Sequence, residues 1–279
     1  MMAKFTNRTL ALTVAQSVRL IFIYPMSEKP QYGDHVHLLS DAFYIPQLER
    51  YRKIQLYLPK GYHKSEKRYP VIYMHDGQHL FHTQPPRNDE WAVDSVADEL
   101  IRSGLKEMII IGMDHAEKNR FNEYSPFDGD QGKGEGKAYA DFIVKTLKPF
   151  VDSNYRTLPD AKNTAIAGGS MGGLISTYIL ATYPEIFGSA GIFSPSFWYA
   201  PSIFNYVEEN LPKLGNHKIY LVVGGKEGGI MINDVKRMHT LITSTGNNKQ
   251  VVLSEVADGR HKEWFWHREF AGFYQFLNN

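Results

Sequence analysis

The chain has 279 residues, 31 Lys plus Arg against 30 Asp plus Glu, and no cysteine. That length fits one α/β domain or a domain with a small appendage. The near balance of charge gives no field for nucleic acid, and the missing cysteine excludes a thiol nucleophile, a thiolate metal site and any disulfide.

The segment from Thr9 to Tyr24 is apolar but is interrupted by Gln16 and Arg19. Its uninterrupted part is shorter than the ~20 residues a membrane span needs. Residues 1–40 are therefore expected to be an irregular extension or a degenerate signal, ahead of a catalytic domain over 41–279. Location stays open between cytoplasm and periplasm or exterior. No membrane span and no nucleic-acid partner are expected.

From Asp41 short β-rich runs alternate with longer helical ones. Ile54 to Leu58 reads as a strand stopped by Pro59-Lys60-Gly61. Val71 to Met74 and Met108 to Met113 read as strands buried on both faces, with a helix from Glu90 to Arg102 between them. The irregular stretch Asn122 to Lys137 follows a strand's C-terminal end, where open α/β sheets keep ligand sites. A helix is expected over Ala138 to Asn154, bent or broken at Pro149. Ala165 to Ala167, Ser189 to Phe193, Lys218 to Val223 and Gln250 to Ser254 are further strands. Helices are expected over Asp234 to Ser244, with Asp234 as its N-cap, and Trp264 to Leu277. The alternation predicts an α/β fold with a mostly parallel central sheet and helices on both faces.

Within this order Gly168-Gly169-Ser170-Met171-Gly172 lies between a strand and a helix, as a nucleophile elbow does. Glycines beside the serine permit the strained turn that exposes its hydroxyl. The pentapeptide alone occurs by chance in roughly one chain in ten of this length, so its partners decide the matter. In α/β-hydrolases the acid and then the histidine follow the serine in chain order. His261 follows the Gln250 strand and is the expected base; His267 falls inside the final helix. Glu227 follows the Lys218 strand and is the expected acid, with Asp234 and Asp258 as competitors. The oxyanion donors are expected to be the backbone N–H groups of Met171 and, on the loop after the Val71 strand, Gln78. His75, His79 and His82 with Asp76 match no metal-binding spacing, and no metal or other cofactor is expected.

Several ordered motifs resemble the esterase D-like group of the α/β-hydrolase superfamily. They are Tyr69 to Gln78, Arg120 with Glu123-Tyr124-Ser125-Pro126, Gly168 to Gly173, Phe193 to Trp198, and Gly259-Arg260-His261 ahead of Trp264. The resemblance covers about Asp41 to Leu277. It implies a serine carboxylic-ester hydrolase with Ser170 as nucleophile and His261 as base. It implies Glu227 less strongly, because the acid varies in that group and some members work with a Ser-His pair. The chain departs from the group at His79, where members often carry Asn, and over the first 40 residues.

The expected substrate is a small-molecule ester, of carbohydrate or siderophore type. The expected substrate-binding residues are His75, Asp76, Arg120, Glu123 and Trp198. Phe197 to Tyr199 would supply either a stacking surface or core packing. Arg120 and Glu123 would either pair with each other or touch substrate. The alternatives to hydrolysis are acyl transfer by the same residues and a non-catalytic binding protein on the same scaffold.

Overall fold

The computed structural model describes residues 33–83, 89–129, 132–244 and 250–279. The apolar runs form eight strands: β1 (Val36–Ile45), β2 (Arg50–Tyr57), β3 (Val71–His75), β4 (Ile109–Met113), β5 (Thr164–Gly169), β6 (Ser189–Phe193), β7 (Lys218–Gly224) and β8 (Gln250–Val256). They make one sheet in the order β1-β2-β4-β3-β5-β6-β7-β8. β1 and β2 pair antiparallel, β2 meets β4 antiparallel, and every later pair is parallel.

Successive side chains of a strand point to opposite faces, so an unbroken apolar run serves two layers. In β3, Val71 and Tyr73 pack on one face, while Ile72 and Met74 pack on the other. β7 divides the same way, with Ile219, Leu221 and Val223 against Tyr220 and Val222. On the first face lie α3 (Gly136–Phe142), α4 (Lys148–Asn154), α5 (Met171–Thr182), α6 (Ser202–Asn210) and α7 (Gly229–Thr243). On the second lie α1 (Val93–Arg102) and α8 (Glu263–Asn278). The short α2 (Arg120–Glu123) sits in the loop after β4.

The elements differ from the sequence expectation in several places, and β2 starts four residues before the expected Ile54. β1 begins at Val36, inside the segment read as an extension, and register shifts between Leu38 and Ser40 and between Ser40 and Phe43 break its alternation. The expected Ala138 to Asn154 helix starts at Gly136 and continues through Pro149. A π-helical turn over Ile143–Leu147 precedes α4, so the proline stands in that helix's first turn, where its missing N–H costs least. α1 starts at Val93 rather than Glu90, because Ala92 is left-handed with φ 45°. α7 starts at Gly229 after Gly228 at φ 93°, which leaves Asp234 inside the helix and not at its cap. The apolar segment Thr9 to Tyr24, read as an irregular extension or a degenerate signal, lies outside the described residues.

Candidate active site

The loops after β3 to β8 gather at the C-terminal edge of the sheet, where parallel α/β sheets bind ligands. Ser170 stands between β5 and α5 with φ 59° and ψ −121°, a conformation costly for a residue with a Cβ. Its N–H donates to the Phe193 carbonyl at 2.9 Å, and its carbonyl accepts from the N–H groups of Gly173 and Ser196 at 3.0 Å each. A Cβ on Gly168 would lie 2.9 Å from His75 Cδ2 and 3.0 Å from the Gly172 carbonyl carbon, so the elbow closes only around glycine. The Ser170 hydroxyl lies 3.1 Å from that of Ser196.

Glu227 and His261 come from the loops after β7 and β8. His261 Nδ1 is 3.0 Å from Glu227 Oε2, and the glutamate side chain is fully buried. The other oxygen, Oε1, accepts from the Ser194 hydroxyl at 2.7 Å and from the Gly224 N–H at 2.9 Å. The ring of His261 meets Trp266 edge to face at 5.0 Å. The two loops touch through backbone: a Cβ on Gly224 would lie 2.4 Å from the Gly259 carbonyl, and the Lys226 N–H donates to that carbonyl at 3.0 Å. The competitors stand elsewhere. Asp258 is exposed and pairs with Arg268 at 2.9 Å, and His267 Nδ1 is 2.6 Å from the Trp91 carbonyl.

The loop after β3 turns at Asp76, which is left-handed with φ 60°. A Cβ on Gly77 would lie 2.7 Å from Asp114 Oδ1 and 2.8 Å from the Gly112 carbonyl carbon, so glycine lets this loop lie against the one after β4. The Gln78 side-chain oxygen accepts from the His115 N–H at 3.1 Å. Burial would push the Asp76 carboxyl up, but the charge and hydrogen bonds of Arg120 outweigh it and hold the group below the usual carboxylate range. Burial lifts the Asp114 carboxyl to about 6, against the pull of Lys53 and Arg52.

A cleft of about 330 Å³ is lined by Ser170 and His261 with Asp76, Arg120, Trp91 and Trp266. Its wall also holds His79 and His115, stacked with centroids 6.0 Å apart. Beside it, a basin of about 450 Å³ is lined by Phe121, Phe127, Asp128, Trp198 and Tyr199. Arg120 and Phe121 are chain neighbours, one in each hollow.

The residues expected to bind substrate divide sharply. Asp76 and Arg120 line the cleft, and Trp198, 51% exposed, lines the basin. His75 is buried under the elbow, its Nδ1 3.0 Å from the Tyr139 hydroxyl, and burial pushes its pKa down to about 3. Glu123 is fully buried and accepts from Arg52 at 2.7 Å and Arg50 at 2.8 Å. The expected Arg120–Glu123 pair is therefore replaced by two others, because Arg120 reaches back to Asp76 while Glu123 points down toward β2. The aromatic triplet splits too, with Phe197 in the core and Trp198 and Tyr199 in the basin. His75, His79 and His82 diverge, toward Tyr139, Asp89 and Glu90 respectively. Among the described residues no group of three or more His, Asp or Glu is placed to hold a metal ion.

Sequence reasoning passed over Ser194, Ser196, His115, Trp91 and Trp266. The Phe193 to Trp198 motif carried the first two without a role for them. His115 was signalled only by its place directly after the β4 strand.

This sheet order, with the elbow after β5, is the α/β-hydrolase fold. The family model described as "Putative esterase" matches residues 45–276, and the chain belongs to that family. The uncharacterized protein YbbA of Bacillus subtilis is 26% identical over 242 residues, 81% of this chain and 92% of that protein. Ferri-bacillibactin esterase BesA of Bacillus subtilis is 27% identical over 179 residues, 57% of this chain and 60% of that one. The crystal structure of BES protein from Bacillus cereus aligns with a TM-score of 0.75 at 20% identity, covering 92% of this chain and 99% of that chain. Family membership supports ester hydrolysis as the activity. No helix among the described residues is long and apolar enough to cross a membrane.

Proposed function

We propose that the protein is a serine carboxylic-ester hydrolase working through an acyl-enzyme. The observation that carries this reading is the Glu227–His261 contact of 3.0 Å opening on the same cleft as the strained Ser170. With Nδ1–H given to Glu227, His261 keeps Nε2 as the acceptor for the Ser170 proton. In this reading the Ser170 hydroxyl, 3.1 Å from that of Ser196 and lining the same cleft as His261, turns to that nitrogen when substrate binds. Oγ then attacks the ester carbonyl carbon while the proton passes to His261. The carbonyl oxygen becomes an oxyanion, received by the N–H groups of Met171 and Gln78. Met171 is the first residue of α5, and the first-turn N–H groups of a helix lack partners inside it. Collapse breaks the bond to the alcohol oxygen, which leaves with the proton from His261. Water repeats the sequence on the acyl-enzyme, releasing the acid and restoring Ser170.

The substrate in this reading is a siderophore or carbohydrate ester. The similarity to a ferri-bacillibactin esterase supports the first, and the exposed aromatic side chains of the neighbouring basin suit either. Turnover of short-chain p-nitrophenyl esters tests the mechanism. Ser170→Ala and His261→Ala should each lose at least about a thousandfold in kcat, and a fluorophosphonate should label Ser170. Equal rates in wild type and Ser170→Ala would overturn it, and a panel of siderophore and carbohydrate esters decides the substrate class.

A further inference from the structure

Ser194 holds a position that its backbone disfavours. It follows β6, is fully buried, and has φ 43°, in the left-handed region where a Cβ is a penalty and glycine carries none. A serine kept there contributes its hydroxyl, and two contacts define what that hydroxyl does. The Trp266 indole N–H lies 2.9 Å from Ser194 Oγ. An indole nitrogen can only donate, so Oγ must accept from it. The hydroxyl proton is then directed at its other neighbour, Glu227 Oε1, at 2.7 Å. Glu227 Oε2 faces His261 Nδ1 at 3.0 Å, and the His261 ring returns to Trp266 at 5.0 Å. The four side chains close a ring in which each fixes the next.

We infer that Ser194 is a positioning residue for the hydrolysis, with its hydroxyl, polarised by Trp266, aiming the Glu227 carboxylate at His261. The inference rests on the esterase reading given above. Trp266 fixes which way the Ser194 proton points. Ser194 in turn pins Oε1, leaving Oε2 as the oxygen that receives the imidazole. Without the hydroxyl, Glu227 keeps only the Gly224 N–H on Oε1 and can rotate out of line with His261. Ser194 is not among the residues lining the cleft, so substrate binding is untouched.

The test uses the full-length protein with a short-chain p-nitrophenyl ester, comparing Ser194→Gly, Ser194→Ala, Trp266→Phe and the double variant Ser194→Ala/Trp266→Phe. Ser194→Gly deletes the hydroxyl and relieves the left-handed backbone, whereas Ser194→Ala deletes it and keeps the strain, so the Tm of Ser194→Gly should lie above that of Ser194→Ala. The kcat of Ser194→Gly should nevertheless fall roughly tenfold to thirtyfold, the scale of a hydrogen bond to a charged group, with KM unchanged. Trp266→Phe should lower kcat less, and the double variant should lose less than the product of the two single losses, because the two changes share the Ser194 hydroxyl while Trp266 also packs on His261. If Ser194→Gly and Ser194→Ala stay within about twofold of wild-type kcat while Ser170→Ala is inactive, the inference fails and the esterase reading stands. Additive losses in the double variant, or a rise in KM matching the loss in kcat, would also overturn it. An active Ser170→Ala overturns the esterase reading itself, and this inference with it.

Discussion

Arg120 and Asp76 meet fork to fork, Nε donating to Oδ1 at 2.7 Å and Nη2 to Oδ2 at 2.8 Å. Both side chains are largely shielded from water, at 18% and 12% exposure. The pair joins the loop after β4 to the turn that leads into Gly77 and Gln78. Planar two-point contact of this kind fixes orientation as well as proximity, which a lysine cannot do.

Arg120→Ala should therefore cost about 3 kcal/mol of stability, because it strands the shielded Asp76 carboxylate. Arg120→Lys should cost less but still lower kcat, since the β3 loop loses its second anchor point. Urea titration of the variants checks the first figure. The depressed Asp76 pKa adds a sign: its stabilisation is present above the unfolded carboxylate range near pH ~4 and is lost as pH falls below it. That acid-dependent loss should be absent from Arg120→Ala.

His75 should make the fold sensitive to acid much earlier. Its folded pKa is about 3, against roughly 6.5 unfolded, because burial disfavours the charged ring. Above pH ~6.5 neither state binds the proton. Below it the unfolded chain gains a proton that the fold refuses, and stability should fall by about 1.4 kcal/mol per pH unit. His75→Gln removes the titration, so its urea midpoint should vary less between pH 7.5 and 4.5. Parallel curves for variant and wild type would refute this assignment.

Asp114 should act in the opposite direction. With its pKa raised to about 6 by burial, its favourable neutral form is present at low pH and lost as pH rises through 6. Oδ1 is buried and has no hydrogen-bond partner among the described residues, so ionisation there is costly. Asp114→Asn should be more stable than the wild type by about 1 to 2 kcal/mol at pH 8, and the difference should close below pH ~4. Thermal melts at the two pH values give the comparison.

Gly168→Ala should damage stability and activity together. The added methyl would meet the His75 ring at 2.9 Å and the Gly172 backbone at 3.0 Å, neither of which is a flexible chain end. A cost of about 1 to 3 kcal/mol is expected, with a displaced Ser170 and a lower kcat. Gly129→Ala serves as the control, since a Cβ there has nothing within 4 Å.

The strands from β3 to β8 were legible because each is a short apolar run bounded by turn residues, a pattern that survives without knowledge of tertiary contacts. β1 was not, because its bulges at Leu38 to Phe43 erase the period-two signal. The positions of Ser170, Glu227 and His261 after β5, β7 and β8 could be read from chain order. Ion-pair partners could not. Arg120 and Glu123 are three apart on a short helix and suggest each other, yet Arg120 pairs 44 residues away and Glu123 pairs with Arg52 71 residues away. Burial decides such choices: a carboxylate inside the sheet layer takes the arginine that β2 delivers there. The role of Ser194 was hidden for the same reason, since its partners come from β7's loop and α8.

The backbone contact between Gly224 and Gly259 makes the loops after β7 and β8 a single mechanical part. Neither can be shifted, lengthened or exchanged for another loop without carrying its neighbour along. Redesign of this protein toward new esters therefore has freedom at the rim, around Phe121 and Trp198, and little at the Glu227 and His261 end. A transplant of either loop into another scaffold would have to take both.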